Sequence, residues 1–426
     1  MPIKFFIGVT MVKNKDRILE TAYYVCCLFF TFTAVCEIPF AVFWGPVFML
    51  AAFIVYKLYT GSKLYYDTSF IWFAIFTVLY SFSVLDISDD IYYQIYVYLQ
   101  ALIMFFIGCN AFGDKAPDEK RRLLEKYFIV ISVMYVLYTA LTLYNYFANT
   151  PHDLEVRFYY SFWYGELVVK PATVVVMMLV IPMTVGLYSI FFMKAPYKIL
   201  GALFDIAALA FSFWSGSRTI LFFFPFLLLG TVITYFVFVK KNRKAAVIIS
   251  LSIAVLCAAA VICAVVFKDK IYDKFHEYGF YRIFYEGFVS SQRNQYALNV
   301  LKDFSIFYMG GGKHSAELGT PHNIWLYLYD HGGFIPFFAY CGFTVVMVKN
   351  GIKMLFSKKV ETQMKFFVFI IFAVILLEYF LEPFILPLPS FYIIGLFLMG
   401  VMTAEARREP RKAKKFTIRK KQKPES

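Results

Sequence analysis

The chain reads as a succession of long apolar runs separated by short polar breaks. Twelve runs stand out, at residues 18–36, 39–58, 69–86, 91–109, 125–147, 171–193, 197–214, 219–239, 246–267, 324–348, 364–384 and 388–404. Each is close to the length an α-helix needs to cross a hydrocarbon layer, roughly 20 residues for about 30 Å. A helix closes its backbone hydrogen bonds internally, which is the condition for lying in lipid. The pattern therefore predicts an all-α polytopic membrane protein with about twelve transmembrane helices. It divides into an N-terminal segment 1–17, a membrane domain 18–404 and a tail 405–426. The first run is of full length and the second follows at once, so no cleavable signal is expected. One stretch breaks the rhythm: residues 268–322 form a polar loop of roughly 55 residues, ending in Thr320-Pro321-His322-Asn323.

Composition agrees with the runs. The chain is 61% hydrophobic and 21% aromatic but only 16% charged, outside the range of ordinary soluble domains. All seven cysteines lie in or at the ends of apolar runs, so they read as small packing residues rather than a disulfide framework. No pair of them has zinc-ligand spacing beside histidines.

Charge orients the runs. Of the 42 Lys and Arg residues, 32 fall in alternate loops and at the two ends: near Lys57, Lys115 to Lys126, Lys194, Lys240 to Lys244, Lys349 to Lys365, and in the tail. Positively charged loops mark the cytoplasmic side. Both termini are then cytoplasmic and the loop 268–322 is extracytoplasmic. The tail carries +7 of the net +14 and is expected to be disordered, lying on anionic headgroups; nucleic acid is not expected as a partner.

Three polar places can carry chemistry. Ser217 reads as a helix N-cap with Arg218 next, an arrangement that offers an anion both a guanidinium fork and free amides. Ser290 and Ser291 open a short helix to about Phe304, in which Arg293 heads a stripe of Ala297, Val300 and Phe304. Thr320 reads as an N-cap with Pro321 in the first turn, which places His322 there as well. The partial positive charge of a helix start disfavours imidazolium, leaving His322 neutral and able to take a proton. Each place has a plainer reading, as a snorkelling arginine, a surface ion pair and a hydrogen-bonded interfacial histidine. Gly310-Gly311-Gly312-Lys313 lacks the leading glycine of a phosphate loop, since Phe307 stands there. Asp205, Glu378 and Glu382 interrupt apolar runs, and acids inside membranes are functional candidates. Asp86, Asp89 and Asp90 read as a solvated outer loop, and residues 157–164 as an interfacial aromatic belt.

In order along the chain come Ser217-Arg218 at an outer run start, Arg293 with Tyr296 and Ala297, a glycine cluster, His322-Asn323, and Gly332-Gly333. This order resembles the O-antigen ligase and Wzy-type polysaccharide polymerase superfamily, best over residues 208–348. The resemblance implies a C-type glycosyltransferase fold needing no metal, cofactor or nucleotide sugar. It implies transfer of a glycan from an undecaprenyl-pyrophosphate carrier to an acceptor sugar hydroxyl, on the outer face of the bacterial cytoplasmic membrane. Arg218 and Arg293 would hold the pyrophosphate leaving group, His322 would activate the acceptor, and Ser217 and Asn323 would help bind substrate. No feature marks binding of a lipid A core, which favours a polymerase over a ligase. A secondary transporter or lipid-linked sugar flippase using Asp205, Glu378 and Arg218 is the competing expectation, though no internal repeat supports it.

Overall fold

The computed structural model describes Val35 and residues 38–60, 64–83, 91–112, 115–149, 158–162, 165–215, 217–267, 269–270, 291–308, 310–311, 323–381 and 388–407. The expected first span, 18–36, and the tail beyond Arg407 lie almost wholly outside them. The helices are α1 (Pro39–Thr60), α2 (Thr68–Ser83), α3 (Ile91–Ala111), α4 (Pro117–Asn149), α5 (Ala172–Phe192), α6 (Ala195–Ser215) and α7 (Arg218–Thr234). There follow α8 (Arg243–Val266), α9 (Ser291–Lys302), α10 (Ile324–Gly332), α11 (Phe334–Phe356), α12 (Thr362–Leu381) and α13 (Pro389–Ala406). Among the described residues, eight of these are long and apolar enough to cross a membrane, and three shorter apolar ones lie within α1, α2 and α3. The protein is an all-α polytopic membrane protein in the main.

Two expectations fail. The run 324–348 is not one span: it breaks at Gly332-Gly333 into the nine-residue α10 and the 23-residue α11. Hydropathy is continuous across the break, but Gly333 adopts φ +76°, a left-handed value that glycine reaches without a Cβ penalty. The outer segment near residue 160, expected as a loop between spans, is in part a hairpin. Phe158–Ser161 (β1) pairs antiparallel with Gly165–Pro171 (β2), with a register irregularity between Tyr160 and Ser161. Tyr159 of this hairpin is buried against Tyr146 of α4 and Phe211 of α6.

Hydropathy alone does not decide which helices lie inside, because lipid is as apolar as a leucine side chain. Close approach does. α13 crosses α3 where Gly400 meets the backbone of Phe105 and Gly108 meets that of Phe397. α5 meets α6 through Gly186 and Gly201; a Cβ on Gly201 would stand 2.6 Å from the Gly186 carbonyl oxygen. These two contacts place α5 and α13 at the centre, and almost all of both helices is buried. By contrast α8 packs chiefly on α7, and little of it is buried.

Ion pairs gather helix ends on one face. At the start of α4, Lys120 bonds Glu405 of α13 at 2.8 Å, and Arg121 reaches Glu361 just before α12 at 2.9 Å. Tyr188 near the end of α5 donates to Glu125 at 2.6 Å, and Arg407 lies over the Tyr65 ring. This is the face of the basic loops. The other ends of these helices meet opposite it: Phe147 of α4 stacks on Trp214 of α6 at 4.5 Å, and Phe380 of α12 packs on Trp325 of α10 at 4.3 Å.

Candidate functional site

The face opposite the basic loops carries the start of α7, the hairpin, α9 and α10. Ser217 stands at the N-cap position of α7 as expected, but its side chain makes no capping bond. Its amide donates to the Ser212 carbonyl at 3.0 Å, and its buried hydroxyl has no partner among the described residues. Arg218 begins the helix and is half-buried.

α10 starts differently from the expectation. Its N-cap is Asn323, whose Oδ1 accepts from the amides of Trp325 at 3.0 Å and Leu326 at 3.1 Å. Thr320 is therefore not the cap of this helix, and His322 is not in its first turn. Asparagine takes the position because its short side chain reaches back to the amides two and three residues on. His322 itself lies outside the described residues, one position before the cap. The capping role occupies Asn323 Oδ1.

α9 runs to Lys302, followed by a 3₁₀ turn at Phe304–Ile306. It docks by Tyr296 and Val300, both buried, with Ile306 and Tyr329 of α10. Arg293 belongs to the first turn of this helix, three residues before Tyr296. Beneath this contact, Tyr296 Oη donates to Asp330 Oδ2 at 2.9 Å, and Asp330 is fully buried.

Asp330 is a functional candidate that sequence reasoning missed, and His331 stood out there only as one of five histidines near one face. Both lay inside a run taken as a span, although a buried acid there is the same signal that singled out Asp205. His331 Nδ1 lies 3.0 Å from the Tyr327 carbonyl oxygen, and its ring stacks on Tyr327 at 4.0 Å. A carbonyl only accepts, so Nδ1 carries the proton and Nε2 presents its lone pair. Burial holds His331 below the usual imidazole pKa, against the upward pull of Asp330 and the Tyr327 carbonyl.

The two glycine clusters interlock. Gly310, at φ +69°, lies against the His331 carbonyl and the Gly332 amide, and Gly311 N–H donates to the His331 carbonyl oxygen at 3.3 Å. Phe334 N–H donates to the Phe307 carbonyl oxygen at 2.7 Å, and the two rings stack at 4.7 Å. The stretch around Phe307, Gly310 and Gly311 is thus clamped on the break between α10 and α11.

Among the intramembrane acids, Asp205 is buried against Gly186, and its two oxygens have no hydrogen-bond partner among the described residues. Glu378 is fully buried in α12, one residue before Tyr379, whose ring faces Trp325 at 6.3 Å. Glu382 and Asp86, Asp89 and Asp90 lie outside the described residues, as do His152, His276 and His314. Among the described residues no group of three His, Cys, Asp or Glu side chains is placed to hold a metal ion. The structure thus joins the helix of Arg293 to the helix that follows His322, and Arg218 starts α7 at the end of the bundle opposite the basic loops. Compared with known proteins, the chain matches no family model and no curated sequence.

Proposed function

We propose that this protein is an extracytoplasmic glycosyltransferase. It takes an oligosaccharide from an undecaprenyl-pyrophosphate carrier and transfers it to an acceptor sugar hydroxyl, as the polymerase of a surface polysaccharide. In this reading the chain has twelve spans, its basic face is cytoplasmic and residues 268–322 lie outside. The observation that carries it is the Tyr296–Asp330 hydrogen bond, which fixes α9, with Arg293, on α10, which begins two residues after His322. Two guanidinium groups, Arg218 and Arg293, neutralise the charge that grows on pyrophosphate as the glycosidic bond breaks, which is electrostatic stabilisation without proton transfer to the leaving group. His322 takes the proton of the acceptor hydroxyl.

Purified protein given lipid-pyrophosphate oligosaccharide should form polymer. Arg218→Ala, Arg293→Ala and His322→Ala should each lower the rate by at least about 100-fold, the scale of losing one charge-stabilising or proton-transfer group. Transfer that persists in all three variants would overturn the assignment. In a deletion strain, single lipid-linked repeats should accumulate; long unattached chains would instead indicate a ligase. A second reading, a secondary transporter or flippase, draws on Asp205 and its unpartnered oxygens. Movement of labelled substrate across proteoliposomes without bond formation, abolished by Asp205→Asn, would favour it.

A further inference from the structure

A groove of about 430 Å³ runs between α7 and α12, away from the candidate site. Its floor on α12 follows Lys365, Phe366, Phe369 and Ala373, and its α7 wall passes Gly230 and Thr234. Gly230 has open space where a side chain would begin, so this position keeps the groove empty. Phe226 and Phe238 at its lip are 62% and 61% exposed, so the groove opens outward to lipid. From Thr362 to Ala373 a helix rises ~16 Å, about half of a ~30 Å hydrocarbon layer. The groove is therefore one leaflet deep.

Its mouth is basic. Lys365 is half-buried there, and among the described residues its ammonium makes no ion pair, while Glu361 one turn earlier pairs with Arg121. Lys240 sits over the Tyr235 ring at 5.7 Å, and that ring reaches Phe366 through Phe192 at 5.5 Å and 5.3 Å. Lys241, Arg243 and Lys244 follow, all exposed. Apolar walls of one-leaflet depth under a cluster of cations match one class of molecule.

We infer that the α7–α12 groove binds an acyl chain of an anionic phospholipid, with its phosphate held by Lys365 at the basic face of the membrane. A basic residue near a membrane surface contributes about 1 kcal/mol to attraction of anionic lipid, so Lys365 should account for roughly a five-fold preference. The inference does not depend on the transferase reading.

The test is native mass spectrometry of the full chain in mild detergent, titrated with phosphatidylglycerol and, separately, phosphatidylethanolamine. Wild-type protein should retain phosphatidylglycerol preferentially. Lys365→Gln should cut that preference about five-fold. Gly230→Leu, which fills the groove, should abolish the tightest binding event, while Ala259→Leu on the lipid-facing side of α8 should leave it intact. Equal retention of the two lipids by wild type would overturn the inference. So would unchanged binding in Gly230→Leu, or a dimer that Gly230→Leu dissociates, since a second copy would then be the occupant.

Discussion

At Gly333 one backbone angle separates a short, largely buried helix from a long apolar one. Its φ of +76° ends α10, and a Cβ there would stand 2.8 Å from the Tyr308 carbonyl oxygen. Gly333→Ala therefore meets strain of about 1–3 kcal/mol from the left-handed backbone, with steric contact added. Thermal unfolding in detergent should show a lowered midpoint, with Ala259→Leu unaffected as the comparison. His331 gives a pH dependence of known sign. Its folded-state pKa lies below 6.5 because it is buried, so below 6.5 the unfolded chain binds protons more readily than the folded one. Stability then rises with pH through that range and is fully present above 6.5. Denaturation followed from pH 7 down to pH 5 should show this loss in the wild type and a flatter profile in His331→Asn. These two residues mark the reach of the sequence. Spacing put Arg293 at the head of a stripe with Val300, but the partner that docks this helix, Asp330, is 34 residues from Tyr296, and no periodicity reveals a contact across that distance.

At the scale of elements, α10 is short, and its start matters most. Two amides rest on Asn323 Oδ1. Asn323→Ala should cost α10 about 1 kcal/mol. Hydrogen exchange at Trp325 and Leu326 should then quicken roughly five-fold, with α13 unchanged. Among the described residues helix existence was largely legible, because apolar runs of spanning length have few alternatives in lipid. Helix ends were less so. Thr320-Pro321 and Asn323 are both good starts by residue type, and only the geometry of the bonds to Trp325 and Leu326 distinguishes them. The β-hairpin at residue 160 was missed for a related reason: Phe, Tyr and Trp favour strands and membrane interfaces alike.

At the scale of the molecule, charge segregation in the sequence corresponds to a physical junction. Arg121 holds Asp118 at 2.7 Å, Glu361 at 2.9 Å and Glu125 at 3.1 Å, tying α4 to the entry of α12. Arg121→Met should destabilise the fold by about 2–3 kcal/mol, less than a wholly buried pair because Glu361 retains solvent. Unfolding in detergent should show the loss, and the double variant with Glu361→Gln should be less than additive. The positive charges of this face were legible one by one, whereas their shared anchoring of four helices was not. A different asymmetry governs α8. It meets the bundle chiefly through α7, and the rest of the described chain leaves nearly all its apolar surface uncovered. Selection therefore sees α8 as a length of oil and α5 as a shape. Over time α8 is free to exchange one aliphatic residue for another, while α5, closed around Gly186, must keep its outline.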